Sequence, residues 1–212
     1  MVVTTIFEGL RAGYYAAILA DPPWRFKTWN NQPGITRNYG EMNRTHGDAS
    51  ASLHYRTMPI EEIRALPVGE LAAPDCVLFL WMSWPQMPDA LSVIEAWGFE
   101  YKTCGFNWTK AHARQLEMFQ DEMMGLQGMG YWTRANTEPC LLATRGNPKR
   151  INADVRQAII EPRREHSRKP DCVHARIERL VAGPYVELFA RAQRAGWDAW
   201  GNELDKFAQA AE

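Results

Sequence analysis

Net charge is almost absent from this sequence: 24 Lys and Arg stand against 25 Asp and Glu, leaving −1 at neutral pH. So close a balance argues against a polybasic tail that wraps nucleic acid, although it leaves room for a local basic patch. Long apolar runs are missing too. None approaches the ~20 residues needed to span a bilayer, and the opening MVVTTIFEGLRAG lacks the form of a signal peptide. Cysteine is scarce: Cys76, Cys104, Cys140 and Cys172 are scattered, with no CxxC spacing. That usage predicts reduced, mostly buried thiols in a cytoplasmic protein. Cys172 and His174 are too isolated to build a zinc site, so no metal is expected. A dinucleotide fingerprint is also lacking. GLQGMG at 125–130 follows no strand and does not fit the GxGxxG pattern.

What is present is a regular alternation. Apolar runs recur at YYAAILA (14–20), CVLFLW (76–81), CGFNW (104–108), CLLAT (140–144) and YVELFA (185–190), with WDAW (197–200) as a shorter candidate. Helical spacing lies between several of them. Ile60, Ile63 and Leu66 share one face, Leu91 and Ile94 another before Gly98, and Val173, Ile177 and Leu180 a third behind Pro170 and Asp171. Near-continuous apolar strands alternating with helices predict an α/β fold, a mostly parallel, doubly wound sheet covered on both faces. The 212 residues are expected to form one domain. Two polar segments interrupt the pattern: 27–53, expected to be an active-site loop, and 111–130, expected to be a variable lid or interface segment.

The first apolar run ends in ADPPW. Asp21 falls where a strand leaves the core, and Pro22 and Pro23 forbid both helix and further pairing. Ligands of open α/β sheets bind at such carboxyl ends. A lone Asp there also serves as a cap or an ion-pair partner. In this company it supplies more: a carboxylate, a Pro22 carbonyl whose direction the prolines fix, and a flat indole at Trp24. Those are two acceptors and a stacking face, the fittings for an exocyclic amine on an aromatic ring.

ADPPW closely resembles the signature of the adenine-N(6) methyltransferases related to the catalytic subunit of the mRNA adenosine methyltransferase, a family with small bacterial and phage members. HYRTMPIEEIRAL (54–66), CVLFLWMSWPQM (76–87), EAWGFEYKTCGFNWTK (95–110) and NTEPCLLATRGNP (136–148) resemble its blocks, in its order. So do EPRREHSRKPD (161–171) and VELFARAQRAGWDAWGNE (186–203). The resemblance implies a Rossmann-like class I methyltransferase fold with permuted chain order, the substrate motif first and the cofactor motif last. One antiparallel strand is expected near the edge, within 131–145.

It also implies roles. Asp21, Pro22, Pro23 and Trp24 would form the catalytic loop, with S-adenosyl-L-methionine as cofactor. Lys169 would meet the methionine carboxylate and Asp21 the amino group. Glu187 and Arg191 would lie near the ribose, and Asn202 and Glu203 near ribose or adenine. Plainer roles stay open: a surface charge for Lys169, an ion pair for Arg191, a turn for Asn202. Gln193 and Arg194 stand where relatives have His or Asn, and the acid that longer relatives carry upstream of this strand has no convincing counterpart. Trp29, Arg37, Tyr39, His54 and Tyr55 are candidates to line the substrate pocket or meet phosphate, or else are solvated or locally packed residues. Residues 145–179 hold ten Lys and Arg against five Asp and Glu, a local excess suited to a phosphate backbone or to an ordinary wet face. The expected reaction is methylation of the adenine N6 amine in DNA, single-stranded or with the base flipped out, by a monomer or homodimer. RNA is the alternative polymer, and a silent nucleic-acid-binding scaffold the alternative function.

Overall fold

The computed structural model describes residues 5–25, 57–111, 133, 135–165, 168–202 and 204. Seven strands among them form one sheet: β1 (Tyr15–Ala20), β2 (Ala72–Trp81), β3 (Glu100–Ala111), β4 (Thr137–Arg145), β5 (Ala158–Pro162), β6 (Tyr185–Leu188) and β7 (Trp197–Trp200). Their order is β5-β3-β4-β2-β1-β6-β7. β1 pairs in parallel with β2 and β6, β6 with β7, and β3 with β5, whereas β4 runs antiparallel to both its neighbours. The sheet is therefore mostly parallel and Rossmann-like. Its reversed strand, β4, lies within 131–145 and stands third from the edge.

Helices cover both faces. α1 (Ile60–Ala65), the single turn α2 (Val68–Leu71) and α3 (Met87–Ala96) pack on one side, and α4 (Cys172–Leu180) on the other. Side chains alternate across each strand. Ile18, Ala20, Leu78 and Leu80 therefore meet Ile63, Val93 and Ile94, while Ala17, Leu19, Phe79 and Trp81 join Val173 and Ile177. The buried face of α3 is Ala90, Val93 and Ile94, and Leu91 is exposed, contrary to the pairing expected from spacing alone. Gly98, at φ +80°, ends that helix in the left-handed conformation that glycine adopts at least cost. All four cysteines are free; Cys76 and Cys140 are buried, Cys104 and Cys172 half-buried. Among the described residues no helix is long and apolar enough to cross a membrane.

Register positions the site. Ala20 lies between Leu80 and Leu188, so Asp21 emerges at the carboxyl edge where the chain departs to β2 on one side and β6–β7 on the other. That divergence is a topological switch point, the place where a parallel sheet opens a crevice.

Candidate active site

Asp21 leaves β1 with its N–H still directed to the Leu188 carbonyl at 3.4 Å. The prolines then turn the chain tightly. Pro22 O accepts from Trp24 N at 2.8 Å, and Pro23 O from Met58 N at 2.9 Å. A carbonyl has two lone pairs, so Pro22 O keeps one for another donor. Trp24 is 5% exposed and donates its indole N–H to Trp81 O at 2.9 Å. Its ring is packed into the core and fixes the loop to the end of β2.

Four alternating charges run across the carboxyl edge. Lys169 Nζ lies 2.7 Å from Asp21 Oδ2 and 3.6 Å from Glu138 Oε2, and Lys110 Nζ closes the row on Glu138 Oε1. Lys169 also sits 5.6 Å above the Trp81 ring, and Lys110 5.2 Å above that of Trp108, the favourable face for a cation. Burial drives the Asp21 carboxyl above its ordinary value, and Lys169 and Arg191 offset only part of that rise. Glu138 goes the other way. Burial pushes it up, but Lys169 and Lys110 together outweigh burial and hold it below the usual range. Two neighbouring acids thus have opposite proton affinities, the pattern associated with functional carboxylates.

Glu138 and Lys110 were not singled out from sequence. The available signal was a charged residue heading the apolar strand in NTEPCLLATRGNP. Glu138 supplies a second acid to the site from β4.

The cofactor-side candidates converge only in part. Lys169 and Arg191 both act on Asp21. Glu187, on β6, accepts a 2.8 Å contact from His174 Nε2, whose ring stands edge-on to Trp197 at 4.9 Å. His174 is a further residue that periodicity did not flag. Just beyond β6, Phe189 adopts φ +61°, a left-handed conformation at the turn where a glycine would be the easy choice. Its ring packs on Trp200 at 5.4 Å. Gly201 passes so close that a Cβ there would lie 2.2 Å from Ala190 O. Asn202 is exposed next to this crossing. Glu203, Trp29, Arg37, Tyr39, His54 and Tyr55 lie outside the described residues, as do segments 27–53 and 112–130.

The cationic excess of 145–179 does not form one patch. β4 runs toward the amino edge, where Arg145 pairs with Cys76, and Arg150 bridges to Val181 beyond the far end of α4. Arg179 there pairs with Asp154, and Arg176 donates to Arg156 O and Ala158 O. β5 then returns to the carboxyl edge, Pro162 beside Ala111, and delivers Arg163, Arg164, Arg168 and Lys169. Within that group Arg164 binds Asp171, and Arg168 binds Glu165 and Asp171. The working edge is electrically more balanced than the count implied.

A family model described as MT-A70 matches residues 15–203. The type II methyltransferase M.MunI of Mycoplasma sp is 34% identical over 204 residues, covering 94% of this chain and 82% of that protein. The N(6)-adenosine-methyltransferase MT-A70-like protein of Arabidopsis thaliana is 30% identical over 199 residues, 91% of this chain and 24% of its own. The human N(6)-adenosine-methyltransferase catalytic subunit METTL3 is 28% identical over 197 residues, 91% and 29% respectively. The chain therefore spans most of M.MunI and less than a third of the latter two relatives.

Proposed function

Because the chain belongs to the MT-A70 family, we propose that it transfers a methyl group from S-adenosylmethionine to the N6 amine of adenine in DNA. The 2.7 Å Lys169–Asp21 contact at the β1–β6 switch point is the observation that best supports this reading. A cation and an acid side by side are the donor set that an amino acid's carboxylate and ammonium groups require. Lys169 would take the carboxylate and Asp21 the ammonium, with Glu187, Arg191, Asn202 and Glu203 toward the nucleoside. The cofactor supplies an electrophilic methyl on a sulfonium.

The protein's part is orientation. The adenine amine is a poor nucleophile because its lone pair is delocalised into the ring. Asp21 Oδ and the second lone pair of Pro22 O accept its two hydrogens, which shifts the nitrogen toward sp3 character and withdraws its lone pair from conjugation with the ring. The packed Pro-Pro-Trp turn keeps both acceptors fixed, so no reorganisation is needed as charge develops. The amine proton becomes strongly acidic only once the N–C bond has formed, and it leaves to solvent. A strong base is unnecessary. Glu138, kept ionised by two lysines, holds Lys169 beside Asp21.

DNA is favoured over RNA because the type II methyltransferase is matched over most of its length, whereas the N(6)-adenosine relatives are matched over a fraction. The amine of a paired base is out of reach, so the strand must be single or the base flipped. The test is transfer of labelled methyl from S-adenosylmethionine to matched DNA and RNA oligonucleotides. Labelled N6-methyladenine in the DNA is expected. Labelling of RNA alone moves the substrate to RNA, and cofactor binding without transfer to either makes the chain a scaffold.

A further inference from the structure

Trp84 is the only exposed tryptophan among the described residues, at 46%. Its surroundings are nonetheless rigid. β2 ends at Trp81, and Met82 N donates to Pro139 O at 3.1 Å. Ser83 and Gln86 then close a capping box around a 3-10 turn, Trp84–Gln86, that leads directly into α3. Gln86 is itself buried, and Pro85 stiffens the turn. The indole N–H donates to Thr137 Oγ1 at 2.9 Å, which fixes the ring while much of it remains open. Other exposed apolar side chains, such as Leu91 and Tyr101, lack such an anchor and need no explanation.

Its position is also informative. Thr137 immediately precedes Glu138, so the indole stands at the same carboxyl edge as Asp21 and Lys169. Alternation along β4 puts Glu138 on the α4 face with Cys140, and Thr137 on the opposite face with α3. Trp84 is thus anchored from the face of β4 opposite the one through which Glu138 reaches Lys169 beside Asp21. A strand that delivers its adenine to Asp21 carries neighbouring nucleotides over that edge.

We infer that Trp84 is a preformed stacking platform for a nucleobase flanking the target adenine. This rests on the proposed nucleic-acid substrate. An anchored ring loses little freedom on binding, and stacking on it is nearly independent of sequence and of salt.

The test uses a single-stranded oligonucleotide that the wild-type enzyme methylates, with binding read by fluorescence anisotropy in the presence of S-adenosylhomocysteine. Trp84→Ala is expected to weaken binding about tenfold, with an unchanged salt slope. Trp84→Phe, which keeps a ring but no indole N–H, restores most of the affinity. Abasic replacement of flanking positions one at a time should find a position whose loss weakens wild type about as much and leaves Trp84→Ala unaffected. Equal affinity of Trp84→Ala and wild type, or the same abasic penalties in both, overturns the inference while leaving the methyltransferase reading intact. A wild-type enzyme that methylates no strand removes both.

Discussion

Asp21→Asn separates catalysis from folding at the position where the two pull in opposite directions. The substitution keeps the shape of the side chain and one acceptor oxygen but removes the charge. A charge-assisted hydrogen bond is worth about 1.5–3 kcal/mol, and loss of a preorganised site group of this kind lowers turnover by about 10²–10³-fold. Stability behaves differently. The Asp21 carboxyl is raised by burial despite Lys169 at 2.7 Å, so its charge is a burden to the folded protein. Its side chain and that of Lys169 are each 20% exposed, and Glu138 stands 3.6 Å from the same ammonium and inherits it. The change in stability should therefore stay within about 1 kcal/mol of either sign. For a domain of this size that is a melting shift of at most about 4 °C. Single-turnover methyl transfer and calorimetric melting of the same preparation measure both. Turnover within about threefold of wild type, or a melting drop beyond about 10 °C, would rule out this role for Asp21.

Lys169→Ala should weaken S-adenosylhomocysteine binding by about 1.5–3 kcal/mol, the value of a bond to a charged group, with a smaller effect on DNA affinity; isothermal calorimetry reads both. The acid limb of kcat/KM should lie above the ordinary aspartate value near 3.8, because protonating the raised Asp21 carboxyl removes an acceptor. Stability carries two signs. Glu138, held below its ordinary 4.5, contributes stability that is present above that value and lost as pH falls through its folded one. Asp21, held above its ordinary 3.8, contributes the reverse, so Asp21→Asn should make melting fall more steeply than wild type as pH falls toward that ordinary value. Gly201→Ala would force a Cβ against Ala190 O and should cost about 2 kcal/mol, seen as a melting drop of about 4–8 °C.

The strands at 14–20, 76–81, 104–108, 140–144, 185–190 and 197–200 were legible because buried parallel strands are written as apolar runs. β5, AIIEP, was not: only Ile159 of its five residues is buried, Ile160 is exposed and Pro162 reads as a terminator. β2 begins at Ala72, four residues before its apolar run, because Pro74 and Asp75 lie at the exposed amino edge. Asp21 and Lys169 could be named individually, but their contact spans 148 residues and no local spacing encodes it. Lys110–Glu138, across 28 residues, and His174–Glu187 arise from strand order, which periodicity leaves open. The packing of Trp24 was not legible for a similar reason: the motif marks a loop, but only the Trp81 carbonyl shows where the indole N–H turns.

The most direct measurement is a crystal structure with S-adenosylhomocysteine and adenosine bound together. The adenine amine is expected between Asp21 Oδ and Pro22 O, facing the cofactor sulfur, with the cofactor carboxylate on Lys169. A cofactor lodged away from the β1–β6 crevice, or an amine that touches neither acceptor, would contradict this arrangement.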